Sequence, residues 1–496
     1  MSDAEPAKRS TAVRAILIAV PILFWIAQEI HPFGPVPPAN RALALLFMMA
    51  FWWVTETLPI HWVALLPIVV APFCPFFPAV EKAAPDFGAR FIANVKVVGP
   101  TYWNPFIMIF MGGMLIGVAM EQHNLHRRIA LRIMKVIGSS PRRILLGFVV
   151  STAFISLWIS NTATAVMMVP IGLAVITQLE AREGQRLPYL GQSIMLSIAY
   201  GANVGGIGTV IGTAPNMALA GFVAGQYNTP VTFLDYLVVG FPFVLLFLPV
   251  VFLALAWLCR KEKTKTLSSD IIDLELGKLG PMSRGEKTVL AVFTLTSSLW
   301  IFNEIIRSAL GLPFKGDEFD AMAALLAPLL LLSIGTLRAG SLKRMPWDVL
   351  ILLGGSYALA AVVLQSGLSN WLGGYVKGAS TLPPLLLMMV VTLVTVFLSA
   401  FTANAAATNL MMLLVSDSMD PTRATPARTV PYLYGACIAA SCDFMLPCGT
   451  PPNAIVFGTR YIKMRTMAAT GFFLDIAAAL MAALWIWLGA RHFMRF

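Results

Sequence analysis

The stretch SCDFMLPCGTPPNAIV, residues 441–456, decides how this chain is read. It sits in strongly apolar surroundings, yet it carries three prolines, a glycine, an acid and several small polar groups. Proline removes a backbone donor and blocks the helix, while glycine relaxes the backbone. Gly449-Thr450-Pro451-Pro452-Asn453 therefore reads as an unwound point inside a membrane span. An earlier stretch, GTAPNMAL from Gly212, repeats it as Gly212-Thr213-Ala214-Pro215-Asn216. Unsatisfied backbone groups cost several kcal/mol in hydrocarbon, so an interrupted helix persists only where protein or a water-lined cavity covers it. Each interruption is a candidate site.

Two more stretches recur in the same order. AFISLWISNTATAVMM from Ala153 matches VFLSAFTANAAATNLM from Val396, aligning Ser156 with Ser399 and Asn161 with Asn404. Upstream, IMIFMGGMLIGVA around Gly112-Gly113 resembles LILLGGSYALAAV around Gly354-Gly355. Three matches in one order at a nearly constant offset make the two halves structural duplicates, a common build of membrane carriers. The apolar flanks of Ser160-Asn161-Thr162, residues 142–159 and 163–176, are each too short to span comfortably, so the triplet reads as the tip of a re-entrant hairpin. Such points suit the joint binding of a cation and an anion. Carbonyls and Ser, Thr or Asn oxygens coordinate a small hard cation, while half-helix N-termini and side-chain donors face an anion. The competing reading makes these residues helix-packing contacts and the prolines ordinary kinks. It explains a single motif more easily than a duplicated pair.

With 58% apolar and only 12% charged residues, the chain lacks the charge to solvate a water-facing surface, which excludes a soluble globular class. Residues 11–30, 41–58, 104–118, 233–258, 321–334 and 472–490 are long or nearly long enough to cross a hydrocarbon core of ~30 Å as helices. About a dozen membrane elements of roughly 20 residues each are expected. Lys8, Arg9 and Arg14 precede an apolar run without a small-residue cleavage site, the mark of a retained first helix with a cytoplasmic N-terminus. The net charge of +11 does not indicate nucleic acid, because the cations sit in short loops, 260–265, 338–344 and 460–465, as topology determinants. Cys74, Cys259, Cys437, Cys442 and Cys448 form neither a disulfide framework nor zinc spacing, and the histidines are scattered. No metal cluster or organic cofactor is expected.

The longest interior polar stretch, RKEKTKTLSSDIIDLELGKLGPMSRGEK at 260–287, is too charged to enter lipid and divides the chain into two apolar halves. Residues 122–143 place Leu125, Ile129, Ile133, Val136 and Ile137 at helical spacing among Arg127, Arg128, Arg132, Lys135, Arg142 and Arg143. This is either an amphipathic helix at the membrane surface or a soluble-type helix packed on the protein's own face. Trp52, Trp53, Trp62, Trp103 and Trp347 read as interface anchors. Glu56 and Asp348 read as acids at span ends, and Asp475 raises the same question.

The first Ser-Asn-Thr, the two Gly-Thr-x-Pro-Asn loops and residues 441–456 resemble the signature of the divalent anion:sodium symporter (DASS) family, and the resemblance covers almost the whole chain. It implies an all-α polytopic fold of two inverted repeats with re-entrant hairpins and unwound helices, divided into scaffold and transport domains that work as an elevator in a homodimer. First-half scaffold helices would occupy 1–140 and first-half transport elements 141–232. Scaffold helices with the central polar loop would occupy 233–380, and second-half transport elements with the C-terminal helix 381–496. Carried over by position, the resemblance assigns a first sodium site to Ser156, Ser160, Asn161 and Gly212. A second takes Ser399, Thr402, Asn404 and Gly449. Substrate carboxylates would meet Ser160, Asn161, Thr162 and Asn404, with Thr213, Pro215, Thr450 and Pro451 close by.

Two positions depart from that pattern. The second hairpin has Ala403-Asn404-Ala405 where Ser-Asn-Thr is expected, so two hydroxyls are missing. Asp443 stands where a small neutral residue is expected. An acid at membrane depth is costly and often functional as a proton carrier or cation ligand. The alternative leaves it in a water-filled vestibule or paired with a nearby donor.

The expected function is sodium-coupled transport of C4-dicarboxylates such as succinate, malate or fumarate across the inner cell membrane. Sodium-independent exchange of di- or tricarboxylates, or sulfate transport, by the same fold is the alternative. An intramembrane enzyme would need a nucleophile–base pair or metal cluster, and neither stands out. A channel would want pore-lining rings.

Overall fold

The computed structural model describes residues 11–32, 36–55, 57–84, 86–138, 140–260, 262, 270–368, 371, 382–418 and 426–494. Lys8, Arg9 and Glu56 lie outside them, as does much of the central polar loop. Among the described residues the regular elements are helices, with no strand. Six helical segments among the described residues are long and apolar enough to cross a membrane: Ala12–Ile30, Phe87–Gln122, Asn161–Glu183, Phe233–Cys259, Trp347–Gln365 and Met464–His492. A seventh arises if Arg284–Ile301 and Asn303–Leu310, bent by 75°, count as one span. The expected dozen elements allow for interrupted segments, and many of the remaining apolar stretches form short helices. Pro141–Ser156 and Pro384–Ser399 have 16 residues each, about 24 Å at 1.5 Å per residue, short of the hydrocarbon thickness.

The described chain falls into two compact units. One gathers Met1–Asn104, Pro346–Leu382 and Met412–Thr425. Within it Thr11–Ile30 packs on Pro37–Thr55, and Trp347–Gln365 packs on Pro37–Thr55, Ile60–Val63 and the turn Gly99–Tyr102. Gly355 is required here, because a Cβ would collide with the Ala64 carbonyl, the same oxygen that accepts the Tyr102 hydroxyl at 2.6 Å. Trp62, Trp103 and Trp347 are exposed, and Asp348 is exposed at a helix start. Trp52 and Trp53 are instead core residues whose indole N–H groups donate to the carbonyls of Leu17 and Ile60, both at 3.1 Å.

The other unit gathers Pro105–Met345, Pro383–Met411 and Pro426–Phe496, and every candidate site residue falls within it. Gly112 is a point of close approach, where a Cβ would meet the backbone of Ala324. The repeated Gly-Gly motif is thus a packing device in both copies. The helix Leu125–Ile137 packs on Pro141–Ser156. Arg128, 4% exposed, pairs with Glu286 at 2.6 Å and donates to the Gly280 carbonyl at 2.9 Å. Arg127 pairs with Glu275 at 2.5 Å, and Lys135 with Asp273 at 2.6 Å. Acids of the central polar stretch pair three of its cations, so the Arg127–Arg128 end of this basic helix packs on the protein's own face, while Arg132 stays exposed. Leu131 and Met134 face inward and Val136 faces out, opposite to the expected apolar stripe at that position. Burial pushes the Glu275 carboxyl up, but Lys278 and Arg127 outweigh it and hold it below its ordinary value. The clamp is therefore complete at neutral pH and loosens as pH falls through that depressed value.

Candidate functional site

Each motif marks a place where one helix ends and another begins. In the first hairpin, Pro141–Ser156 stops at Ser156 and Asn161–Glu183 starts at Asn161. Ser160 caps the second arm, accepting a hydrogen bond from the Ala163 amide at 3.4 Å. That arm runs 23 residues, longer than the expected 163–176 and long enough to span, because its helix accommodates Pro170 and continues to Gly184 in the left-handed region. The first broken helix stops at Gly206 and restarts at Ala214, with Thr213 extended at the N-cap and Pro215 in the first turn. A proline there needs no donor partner.

The second copy repeats this plan. Pro384–Ser399 and Asn404–Ser418 form its hairpin, and Pro426–Ser441 and Pro451–Gly458 its broken helix. Thr450 caps the restart, accepting from the Asn453 amide at 3.3 Å. Packing repeats as well. The first arm of each hairpin lies against the first arm of its own broken helix, and the first arm of each broken helix lies against the second arm of the other. Helix C-termini carry unpaired carbonyls and partial negative charge, N-termini unpaired N–H groups and partial positive charge. Ends at Ser156, Gly206, Ser399 and Ser441 suit a cation, and starts at Asn161, Ala214, Asn404 and Pro451 suit an anion.

Burial grades the candidates without separating them, since Ser160, Asn161 and Asn404 are expected near both ion and substrate. Ser156, Gly212, Ser399, Thr402 and Gly449, expected around sodium, are buried. Ser160, Asn161, Thr162, Thr213 and Asn404, expected near substrate, are half-buried, and Pro451 is exposed. Pro215 and Thr450 are buried.

In the first copy the candidate ligands touch. The Ser156 hydroxyl lies 2.8 Å from both the Asn161 Oδ1 and the Ala202 carbonyl. A Cβ on Gly206 would collide with the Asn161 carboxamide, and one on Gly212 with the Gly206 carbonyl. The Thr209 hydroxyl donates to the Leu157 carbonyl at 2.5 Å, tying loop to hairpin tip. Ser156 and Asn161 thus form one constellation of neutral oxygens beside Gly206, on which Gly212 packs, while Ser160 caps the arm next to them.

The second copy is looser. Ser399 donates to the Val396 carbonyl at 3.0 Å within its own helix, and Thr402, just past the helix end, reaches back to that of Leu398 at 2.8 Å. The Asn404 Oδ1 is buried without a hydrogen-bond partner. Among the hydrogen bonds of the described residues, none ties Ser399, Thr402 or Asn404 to the Gly449 loop. Gly449 packs instead on the Asp443 carboxylate. Asp443 is fully buried and paired with no donor, so the vestibule and paired alternatives both fail for it. Asp475 is also fully buried, its Oδ1 accepting from the Phe444 amide at 2.9 Å.

Three asparagines that sequence reasoning leaves unassigned hold the loops. Asn216 donates to the carbonyls of Gly206 at 2.8 Å and Thr209 at 2.7 Å. Asn453 donates to those of Asp443 at 3.2 Å and Leu446 at 3.0 Å, the corresponding positions. Asn203 crosses from the first broken helix to the second loop, its amide 3.0 Å from the Asp443 carbonyl and 3.1 Å from the Thr450 hydroxyl. The last Asn of each Gly-Thr-x-Pro-Asn loop is a buttress, a role its motif position could have signalled. Asn203 gives only a weak sign, a polar residue in the small-residue run YGANVGG.

Paired hairpins and broken helices with cation-suited and anion-suited helix ends define a polytopic membrane carrier. The family model described as "Sodium:sulfate symporter transmembrane region" matches residues 8–492, and the chain belongs to this family of divalent anion:sodium symporters. It is similar to a "Sodium-dependent dicarboxylate transporter SdcS" of Staphylococcus saprophyticus, 36% identical over 488 residues covering 94% of this chain and 89% of the relative. A protein of the same description from Staphylococcus aureus strain USA300 is 34% identical over 486 residues, with the same coverage. Among solved structures, the Alcanivorax borkumensis YdaH transporter matches with a TM-score of 0.57 at 14% identity, covering 86% of this chain and 98% of that one. This last likeness bears on the fold alone.

Proposed function

We propose that this protein is a secondary carrier that couples inward movement of sodium to uptake of C4-dicarboxylates such as succinate, malate or fumarate. Family membership and the sodium-dependent dicarboxylate transporters it resembles support the reading. The observation that carries it is the first-copy constellation, where Ser156, Asn161 and Gly212 gather neutral oxygens beneath a half-buried helix start. Neutral oxygens suit sodium, a hard monovalent cation, and an Asn can offer oxygen to the cation while its amide faces a carboxylate. Sodium is held by Ser156, Ser160, Asn161 and Gly212 in one copy and by Ser399, Thr402, Asn404 and Gly449 in the other. The substrate lies against Ser160, Asn161, Thr162 and Asn404, with Thr213, Pro215, Thr450 and Pro451 nearby. In this reading the elements at 141–232 and 381–496 move as the transport domain of a homodimer in the inner membrane, with the N-terminus cytoplasmic.

The missing hydroxyls at Ala403 and Ala405 favour one second reading, sodium-independent exchange of one carboxylate for another. Labelled succinate uptake into proteoliposomes, with or without an inward sodium gradient and internal dicarboxylate, separates the two. Symport is expected to require sodium and to proceed into empty vesicles. Uptake that ignores sodium but needs internal substrate rejects symport. Asn161→Ala and Asn404→Ala are each expected to abolish uptake while the protein elutes as a folded species. Retained uptake in either rejects a shared ion and substrate site.

A further inference from the structure

We propose that Asp443 is a direct ligand of the second cation, so that this site carries a fixed negative charge where its duplicate is neutral. The inference rests on the sodium-coupled reading and adds a residue and a charge to it. Position equivalence comes first. Asn216 bridges the carbonyls of Gly206 and Thr209, and Asn453 bridges those of Asp443 and Leu446 in the same way. Asp443 is therefore the counterpart of Gly206. In the first copy the space beside Gly206 holds the Asn161 carboxamide. In the second copy the residue at this position brings a carboxylate of its own and lays it against Gly449, the glycine expected to offer a carbonyl to the cation.

That carboxylate has no partner in the protein. Asp443 is 0% exposed, and neither Oδ1 nor Oδ2 accepts a hydrogen bond. The donors nearby are committed elsewhere. Asn203 and Asn453 give their amides to the Asp443 main-chain carbonyl, and the Tyr200 hydroxyl donates to the carbonyl of Phe444. Among the described residues no Lys, Arg or His forms an ion pair with it. The neighbouring acid worsens matters, since Asp475 is equally buried and leaves its own Oδ2 unpartnered. An isolated ionised carboxylate in an apolar interior is too costly to persist, so the group takes up either a proton or a cation, and titration with sodium distinguishes the two. Buried polar atoms without partners are rare enough in native proteins to need an explanation, and a bound ion is one.

A monovalent cation fits better than a divalent one. No group of three or more His, Cys, Asp or Glu able to hold a metal occurs among the described residues. One carboxylate with the neutral Gly449 backbone beside it, and with Ser399, Thr402 and Asn404 as the sodium-coupled reading assigns them, gives a site of low charge. The pattern also explains how the second hairpin tolerates Ala403 and Ala405. At Ala403 the hydroxyl that Ser160 offers to the first site is gone, and a charged oxygen donor takes its place. A sodium ion held by Asp443 moves without net charge, whereas sodium in the neutral first site adds a full positive charge to the moving unit.

The test uses the purified full-length protein in detergent, titrated with sodium chloride at constant ionic strength against choline chloride. Sodium-22 binding and the thermal unfolding midpoint are read in parallel. Wild type is expected to bind sodium in two classes of site. Asp443→Asn, equal in shape, and Asp443→Gly, which installs the first-copy residue, should each lose one class and raise the half-saturating sodium at least tenfold. Asn161→Ala should remove the other class. In the Asp443→Gly background, Ala403→Ser with Ala405→Thr should bring the half-saturating concentration back down. A wild-type sodium curve in either Asp443 variant overturns the inference and leaves the coupling reading intact, as does a change in pH response alone. A wild type that binds no sodium overturns the coupling reading itself.

Discussion

The loop from Gly206 to Thr213 and the loop from Asp443 to Thr450 share one backbone plan, yet they solve the same problem with different chemistry. Both break a helix, both restart it with proline in the first turn, and both are buttressed by the last Asn of the motif. In the first, a glycine makes room for a neighbouring carboxamide from the hairpin tip. In the second, an acid fills that room from within the loop itself. Duplication preserves what the backbone requires, because an unpaired carbonyl costs the same in either half. It leaves the ligand set free to diverge, because a cation accepts oxygen from amide, hydroxyl, carbonyl or carboxylate alike.

The largest effect expected to separate the copies comes from one added methyl group in each. In Gly206→Ala the new Cβ strikes the Asn161 carboxamide, which is half-buried and able to yield. Uptake should fall by about 100-fold, the scale of loss from a misplacement of roughly 1 Å, with little change in thermal stability. In Gly449→Ala the Cβ strikes the Asp443 carboxylate, which is enclosed on all sides. There the cost should appear as lost stability of about 1–3 kcal/mol, the usual range for overpacking. Asp443→Gly in the same chain should recover the unfolding midpoint. Equal behaviour of the two alanine variants in uptake and unfolding assays would break the distinction between the copies.

The buttressing asparagines give a smaller and reversed asymmetry. Asn216→Ala removes the hydrogen bond to the Gly206 carbonyl and should lower stability by about 1–3 kcal/mol, the desolvation cost of a buried acceptor left unpaired. Asn453→Ala removes the equivalent bond to Asp443, but that carbonyl keeps the amide of Asn203. Its cost should be distinctly lower. Thermal unfolding of the two variants side by side decides it, and a more damaging Asn453→Ala would show that Asn203 does not substitute.

Much of this is legible in the sequence because helix breaks are local events. Pro215, Pro451 and Pro452 with Gly212 and Gly449 mark both interruptions without knowledge of any contact, and the Ser160 cap marks the hairpin tip. What stays hidden depends on partners far along the chain. Nothing near Arg128 in sequence announces Glu286, so the basic helix can be read as lipid-facing. Trp52 and Trp53 resemble anchors because their indole acceptors are backbone carbonyls, which no sequence displays. The helix through residues 163–176 outruns its apolar stretch because Thr177, Gln178 and Glu180 continue a helix as readily as apolar residues do, although they weaken the span signal. Asp443 is visible as an anomaly, but its lack of any partner is a property of the packed structure alone.

The smallest effect is also the sharpest test of how the copies are joined. Asn203 in the first broken helix and Asn453 in the second loop share the Asp443 carbonyl, and the Asn203 amide also lies 3.3 Å from the Asn453 Oδ1. Two groups that serve one acceptor and touch each other cannot contribute independently. Either single alanine leaves the carbonyl with one donor. The double variant leaves it with none, so its cost should exceed the sum of the singles by about 1 kcal/mol, within the usual range for residues in one hydrogen-bond network. Measured against it, Asn203→Ala with Asn216→Ala should be additive, since Asn216 holds the other loop and shares none of these acceptors. Additivity in the first pair would mean that the two broken helices are braced separately, and that the acid in the second loop is not held by the first copy at all.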